Sequence, residues 1–129
     1  MAKKSSKPVT FVKCPCAGTT LDKLIQPALL AVLSESSLHG YELARRIGNI
    51  PGFLEQAPDV SGIYKILKSL EERGMVVSDW APPKNDRAKR IFTITKDGIT
   101  CLEHWQKTLQ EHRKAVNALI RTTQKALNR

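Results

Sequence analysis

Ser61, Tyr64, Lys65 and Lys68 recur at steps of three and four residues, which gathers a hydroxyl, a phenol and two ammonium groups on one side of a helix. A short, basic row of hydrogen-bond donors suits insertion into a DNA groove, where phosphate oxygens and base edges accept. Sulfur is the other chemistry in the chain. Cys14-Pro15-Cys16 sets two thiols either side of a proline, an arrangement that can share a soft metal or respond to oxidants. Cys101 and His104 stand three residues apart and could offer one sulfur and one nitrogen to the same ion. Together the four would make a three-sulfur, one-nitrogen set. Against it stand two incidental cysteines in a solvated tail and a small core residue at Cys101.

The elements that must position the donor row are readable around it. Ile63, Ile66, Leu67 and Leu70 form the complementary apolar stripe, and at about 100 degrees per residue they fall opposite the donors. Asp59 can cap the first free amides, and Gly74 can take the left-handed conformation that closes a helix. A β-branched run from Met75 to Trp80, a basic turn-forming loop from Ala81 to Arg90 and a second strand-like run from Ile91 to Thr95 follow. Helix, strand, basic loop, strand predicts a winged helix. The fold class expected is mainly α with a small β-hairpin (α+β), a winged helix-turn-helix.

Residues 1 to 20 lack helical periodicity and read as a basic extended arm. Between Leu21 and Leu33 apolar residues repeat at helical spacing, and Pro27 sets the start of the main helix, since proline is best tolerated in a first turn. Ser36 to Gly40 break the pattern. Tyr41, Leu43, Ala44 and Ile47 mark a second helix, and residues 48 to 58 form a long connection rich in glycine and proline. Beyond Thr95, itself a capping residue, Leu102, Trp105, Leu109, Val116, Leu119, Ile120 and Leu127 make a heptad-like seam on a final helix. A single winged-helix unit has no obvious means of covering it, so a second copy is the expected partner. The domain plan is then an arm over 1 to 20, a DNA-binding unit over 21 to 96 and a dimerisation helix over 97 to 129. A two-fold dimer would read a pseudo-palindromic operator.

The 129 residues fit one domain with an appended helix. Lysine and arginine number 21 against 12 acids, a formal charge of +9, and the pI is near 9.8; both favour a polyanionic partner. Lys3, Lys4, Lys7 and Lys13 crowd the arm, while Lys84, Arg87, Lys89, Arg90 and Lys96 crowd the wing against Asp86. Phosphate contacts from such clusters would weaken as salt rises. For the arm alone, solubility explains the lysines equally well. No apolar run approaches the roughly 20 residues that span a bilayer, and no secretory signal is legible, so a cytoplasmic protein is expected. Three cysteines do not make a disulfide framework. Phosphate-cradling glycine loops, zincin patterns and nucleophile elbows are absent, which argues against an enzyme.

Three segments carry a family resemblance: Leu38-His39-Gly40-Tyr41-Glu42-Leu43, the run from Gly62 to Val76, and Phe92-Thr93-Ile94-Thr95-Lys96-Asp97-Gly98. In order and spacing they resemble the PadR-like transcriptional regulators over residues 24 to about 110. The resemblance implies a homodimeric winged-helix repressor, commonly controlled by a small molecule. It places Ser61, Tyr64, Lys65 and Lys68 on the DNA-facing helix and Arg87, Lys89 and Arg90 in the wing. It also departs from the family, whose wings usually carry a glycine and paired tyrosines where this chain has Asp86-Arg87-Ala88-Lys89-Arg90-Ile91-Phe92. Members that stack flat aromatic drugs have an interface tryptophan nearer Leu109, one turn beyond Trp105.

His39 reads as a capping or packing residue, and His112 as a polar residue on the seam that could tune dimerisation. The function expected is a DNA-binding transcriptional regulator, a ligand-responsive homodimeric repressor with double-stranded DNA as partner and no membrane role. The alternatives are a winged-helix protein-interaction adaptor and a metal- or thiol-responsive regulator using Cys14 and Cys16. The dimer interface is expected at Leu102, Trp105, Leu109, Val116, Leu119 and Ile120.

Overall fold

The computed structural model describes residues 24–84 and 87–129, and of 82–84 and 87–88 the backbone alone. Its elements run α1 (Ile25–Glu35), β1 (Leu38–His39), α2 (Gly40–Gly48), α3 (Val60–Glu72), β2 (Val76–Lys84), β3 (Arg87–Ile94) and α4 (Lys96–Leu127). The three strands form one antiparallel sheet in the order β1, β3, β2. Mainly helical with this small sheet, the chain is a winged helix.

Each helix of the core buries one stripe. Leu29, Leu30 and Leu33 of α1 meet Leu43, Ala44 and Ile47 of α2 and Ile63, Leu67 and Leu70 of α3, and Val76 and Phe92 close the cluster from the sheet. Fully burying a large aliphatic side chain contributes on the order of 1.5 to 3 kcal/mol. That is why the apolar positions, rather than propensity, hold these short helices. Pro27 sits in the first turn of α1, as expected of a residue without an amide proton. His39 caps α2, its Nδ1 accepting from the Glu42 amide at 3.3 Å.

The end of α3 follows the glycine rule. Gly74 adopts φ +78°, the Met75 amide donates to the Leu70 carbonyl at 2.9 Å and the Gly74 amide to the Glu71 carbonyl at 3.0 Å. These are the crossed bonds by which a left-handed glycine satisfies the last carbonyls of a helix. The start of α3 differs from expectation. Asp59 occupies the cap position, but its carboxylate accepts from the Ser61 hydroxyl and makes no cap bond to a helix amide.

The hairpin is longer than the sequence implied. Most of the segment read as a loop, Ala81 to Arg90, is strand: Ala81 pairs with Lys89, Trp80 with Arg90, and Lys84 with Arg87. Pro82 and Pro83 fall within β2, which is an edge strand whose register slips between Ala81 and Lys84. An edge with a bulge tolerates a residue that cannot donate. The two-residue β1 had no readable signature at all. It is defined by its pairing, Leu38 opposite Phe92 and His39 opposite Ile91.

Thr95 caps α4, its Oγ1 accepting from the Gly98 amide at 3.0 Å and donating to the Gly74 carbonyl at 2.7 Å. α4 has 32 residues, so it is about 48 Å long. Cys101, Leu102 and Trp105 pack on the core, and the first turns of α4 are thereby part of the winged-helix unit. Val116, Leu119, Ile120 and Leu127 lie farther out and are exposed.

Candidate nucleic-acid interface

α3 buries Ile63, Leu67 and Leu70 and turns Ser61, Tyr64, Lys65 and Lys68 outward. The donor row is therefore one solvent-facing surface, but its members are held differently. Ser61 is engaged with Asp59, and that hydroxyl is the main reason the Asp59 carboxyl lies below its ordinary pKa. Lys65 and Lys68 are exposed and make no ion pair among the described residues.

Tyr64 is 39% exposed, yet its ring is fixed. One side meets Gly40 at the start of α2, where a Cβ would stand 2.5 Å from ring carbon Cζ. The other meets Phe92 of β3 in an edge-on contact, centroids 6.1 Å apart at 60°. Such aromatic pairs add about 0.5 to 1.5 kcal/mol beyond their burial. The phenol thus stands at a defined point where α2, α3 and β3 converge.

The wing residues separate by strand parity. Side chains alternate along a strand, so Lys89 and Arg90 leave β3 on opposite faces. Lys89 is exposed. Arg90 faces inward with Phe92 and is engaged: its Nε donates to Ser78 Oγ at 2.7 Å, its Nη2 to Glu71 Oε1 at 3.4 Å, and its guanidinium lies 5.6 Å from the Trp80 ring centroid. Arg87 pairs with Lys84 at the base of the hairpin turn. Glu71 and Ser78 were missed by charge-cluster reasoning. The signal that could have found Ser78 is the alternation that puts Ser78, Trp80, Arg90 and Phe92 on one face.

On α2, Glu42 receives Arg45 Nε at 3.0 Å and Arg46 Nε at 3.4 Å. The Arg45 hydrogen bonds, reinforced by Arg46, bring the Glu42 carboxyl down to about 2. The cluster is solvent-facing and ties both arginines to one carboxylate.

The sulfur set is not assembled among the described residues. Cys14 and Cys16 lie outside them. Cys101 is a half-buried free thiol, and with His104, Trp105 and Thr108 it lines a cavity of about 140 Å³. No group of three metal-ligating side chains occurs among the described residues. No helix among them is long and apolar enough to cross a membrane.

The seam on α4 divides in two. Leu102 and Trp105 pack inward on the core, and Leu109 lines an apolar groove of about 330 Å³ with Leu24, Pro27, Ala28, Ala31 and Leu102. Val116, Leu119 and Ile120 are 53%, 62% and 46% exposed, so the described residues of their own chain leave them uncovered.

Comparison with known proteins places the fold and the family. Residues 29–104 match the model of a family described as the transcriptional regulator PadR-like family. A candidate transcriptional regulator of Thermoplasma acidophilum is 31% identical and superposes with a TM-score of 0.66, covering 80% of this chain and 94% of its own. A PadR family transcription regulator of Clostridium difficile is 20% identical with a TM-score of 0.62, covering 74% and 97%. Bacillus subtilis PadR, solved in complex with operator DNA, is 24% identical with a TM-score of 0.58, covering 65% of this chain and 46% of its own. No curated protein sequence matches the chain.

Proposed function

The chain belongs to the PadR-like family of transcriptional regulators, and from that premise we propose that it is a homodimeric repressor that reads a pseudo-palindromic operator through α3 and the wing. As a member of that family it is a DNA-binding regulator and not an enzyme. The observation that carries the assignment is the outward face of α3. Lys65 and Lys68 are exposed there, and Tyr64 is fixed beside them by Gly40 and Phe92. Lys89 adds an exposed cation on the wing, and Arg87 joins it by sequence position.

The dimer is supported by α4. Its outer half carries four large exposed aliphatic residues, Val116, Leu119, Ile120 and Leu127, past the end of its own core, while α1 and the inner half of α4 line an open apolar groove. A second copy satisfies both. Two α3 helices related by a two-fold axis would then meet successive major grooves about one helical turn of DNA apart. The family resemblance supports a small-molecule effector, which must bind the DNA-competent and incompetent placements of the two helices with different affinity. A regulator of this kind works where the chromosome is, in the cytoplasm.

The test is retention of the region upstream of its own gene at physiological salt, against random DNA of equal length. Selective retention is expected. Equal binding of both, weakening together as salt rises, would reduce the basic surface to a nonspecific one.

A further inference from the structure

Among the described residues, Glu71 is the one acid on α3 whose carboxylate reaches the wing. It stands in the last turn of the helix, where the helix dipole disfavours a negative charge, and on an element that would face polyanionic DNA. Its carboxylate is matched by two contacts from the hairpin, and a third bond links the two hairpin residues that make them. Ser78 Oγ of β2 donates to Oε2, Arg90 Nη2 of β3 reaches Oε1 at 3.4 Å, and Arg90 Nε closes the triangle on Ser78 at 2.7 Å. Trp80 covers the guanidinium at 5.6 Å, and Trp80 is the direct cross-strand partner of Arg90.

The position of this cluster matters. Val76 and Phe92 are the buried residues of the hairpin among those described; Ser78 lies directly across from Phe92, and Trp80 and Arg90 form the next pair on the same face, partly open to solvent where the strands leave the core. Past that pair, the contact found among the described residues is the hairpin's own pairing. Arginine is suited to the task because its planar fork can serve a hydroxyl and a carboxylate at once.

We propose that Glu71 is a positioning residue for DNA binding: through Arg90 it sets the angle of the wing against α3, so that Arg90 holds the wing while Lys89 meets the phosphates. The inference rests on the DNA-binding reading above and reassigns one of its arginines. A guanidinium used in this way releases no counterion on DNA binding, whereas each phosphate contact lowers the log-log salt slope by about 0.9.

The test reads DNA binding on the full chain with both tryptophans in place, and emission on the full chain with Trp105→Phe, where Trp80 is the one tryptophan. Glu71→Gln and Arg90→Gln should each change the Trp80 emission of the free protein. Each should also weaken operator affinity, on the order of tenfold, with the salt slope unchanged. The double variant should be no weaker than either single one, as expected of residues acting as one unit. Lys89→Gln should instead flatten the slope by about one phosphate contact. Ser78→Ala provides a milder break of the same brace should Arg90→Gln unfold. A slope flattened by Arg90→Gln, tighter binding by Glu71→Gln, or an unchanged Trp80 spectrum would overturn the proposal. If the unaltered protein fails to distinguish operator from random DNA, the functional reading fails instead, and the Trp80 spectra still decide whether the brace exists.

Discussion

The Tyr64 ring lies so close over Gly40 that a methyl group on Gly40 would come within 2.5 Å of ring carbon Cζ and within 2.9 Å of two more ring carbons. Gly40 is buried at the start of α2, so its missing side chain is the space that the phenol occupies. Gly40→Ala should push Tyr64 off Phe92 and out of the donor row. Overpacking of this kind costs about 1 to 3 kcal/mol, and DNA affinity should fall along with stability. Tyr64→Phe, which keeps the ring and removes only the hydroxyl, should retain the stability. Urea unfolding and a DNA-binding titration on both variants check the pair; a Gly40→Ala protein of normal stability and affinity would show that the ring moves freely.

Lys65 and Lys68 are exposed cations one face-step apart on α3, and neither is used to hold the fold. Replacing both with glutamate should abolish operator binding while leaving the circular dichroism and the sedimentation of the protein unchanged. Single changes to glutamine should each reduce the salt slope by about 0.9 where the contact is to phosphate. A change in base preference with an unaltered slope would instead mark a contact to a base edge. Retained binding by the double glutamate variant would remove α3 from the interface.

Two glycines should respond in opposite directions. A Cβ at Gly98, at the start of α4, would stand 2.1 Å from the Met75 carbonyl oxygen and 2.6 Å from Ile94 Cγ1. The obstruction is backbone, fixed by the Thr95 amide bond to the same carbonyl at 3.1 Å. Gly98→Ala should therefore cost about 1 to 3 kcal/mol, as overpacking typically does, or more. At Gly62 in α3 a Cβ meets nothing within 4 Å, and alanine there should stabilise by up to about 1 kcal/mol through backbone entropy. Thermal unfolding of both at one protein concentration measures the contrast, since oligomerisation makes the midpoint concentration-dependent. Equal shifts for the two variants would contradict the close approach of α4 to Met75.

The Glu42 carboxyl lies at about 2, below its ordinary 4.5, because the ionised form is hydrogen-bonded by Arg45 and Arg46. A group whose folded pKa is depressed contributes stability above its unfolded value and loses it as pH falls through the folded one. The contribution should be complete above pH 4.5 and disappear toward pH 2. The unfolding midpoint of the unaltered protein should thus fall more steeply across that window than that of Glu42→Gln. The cluster is solvent-exposed, so the difference should be small and shrink with added salt. Parallel pH profiles would mean that the arginines do not hold the carboxylate in solution.

What was legible beforehand had a local cause. Gly74 ends α3 because a left-handed turn needs no partner beyond the helix itself, and Thr95 caps α4 through an amide three residues on. The buried stripe of α3 follows from spacing alone. What was not legible depends on distant residues. β1 exists by pairing with β3, across a long stretch of sequence, and the strand at Pro82-Pro83 survives because the topology makes it an edge. Asp59, read as a cap, is diverted by a hydroxyl two residues away. Arg90 looked like its neighbour Lys89 in a charge count, and only the face of the sheet it leaves from, toward Glu71, separates a wing-holding arginine from an exposed lysine.

The outer half of α4 is where the dimer can be tested without touching the core. Leu119 and Ile120 are 62% and 46% exposed, so aspartate at either position leaves the packing of the monomer intact. In an apolar interface it would bury an unpaired carboxylate, a cost that no rearrangement of a helix seam offsets cheaply. Leu119→Asp and Ile120→Asp should therefore shift the protein to monomer in sedimentation velocity while the circular dichroism of the winged-helix core persists. Operator affinity should collapse with the dimer, because one half-site alone supplies only part of the contacts. Leu102→Asp should behave differently: Leu102 packs on its own core and also lines the groove beside α1, so it should unfold the monomer as well. A dimer that survives both outer substitutions would move the interface away from the seam and onto another face of the molecule.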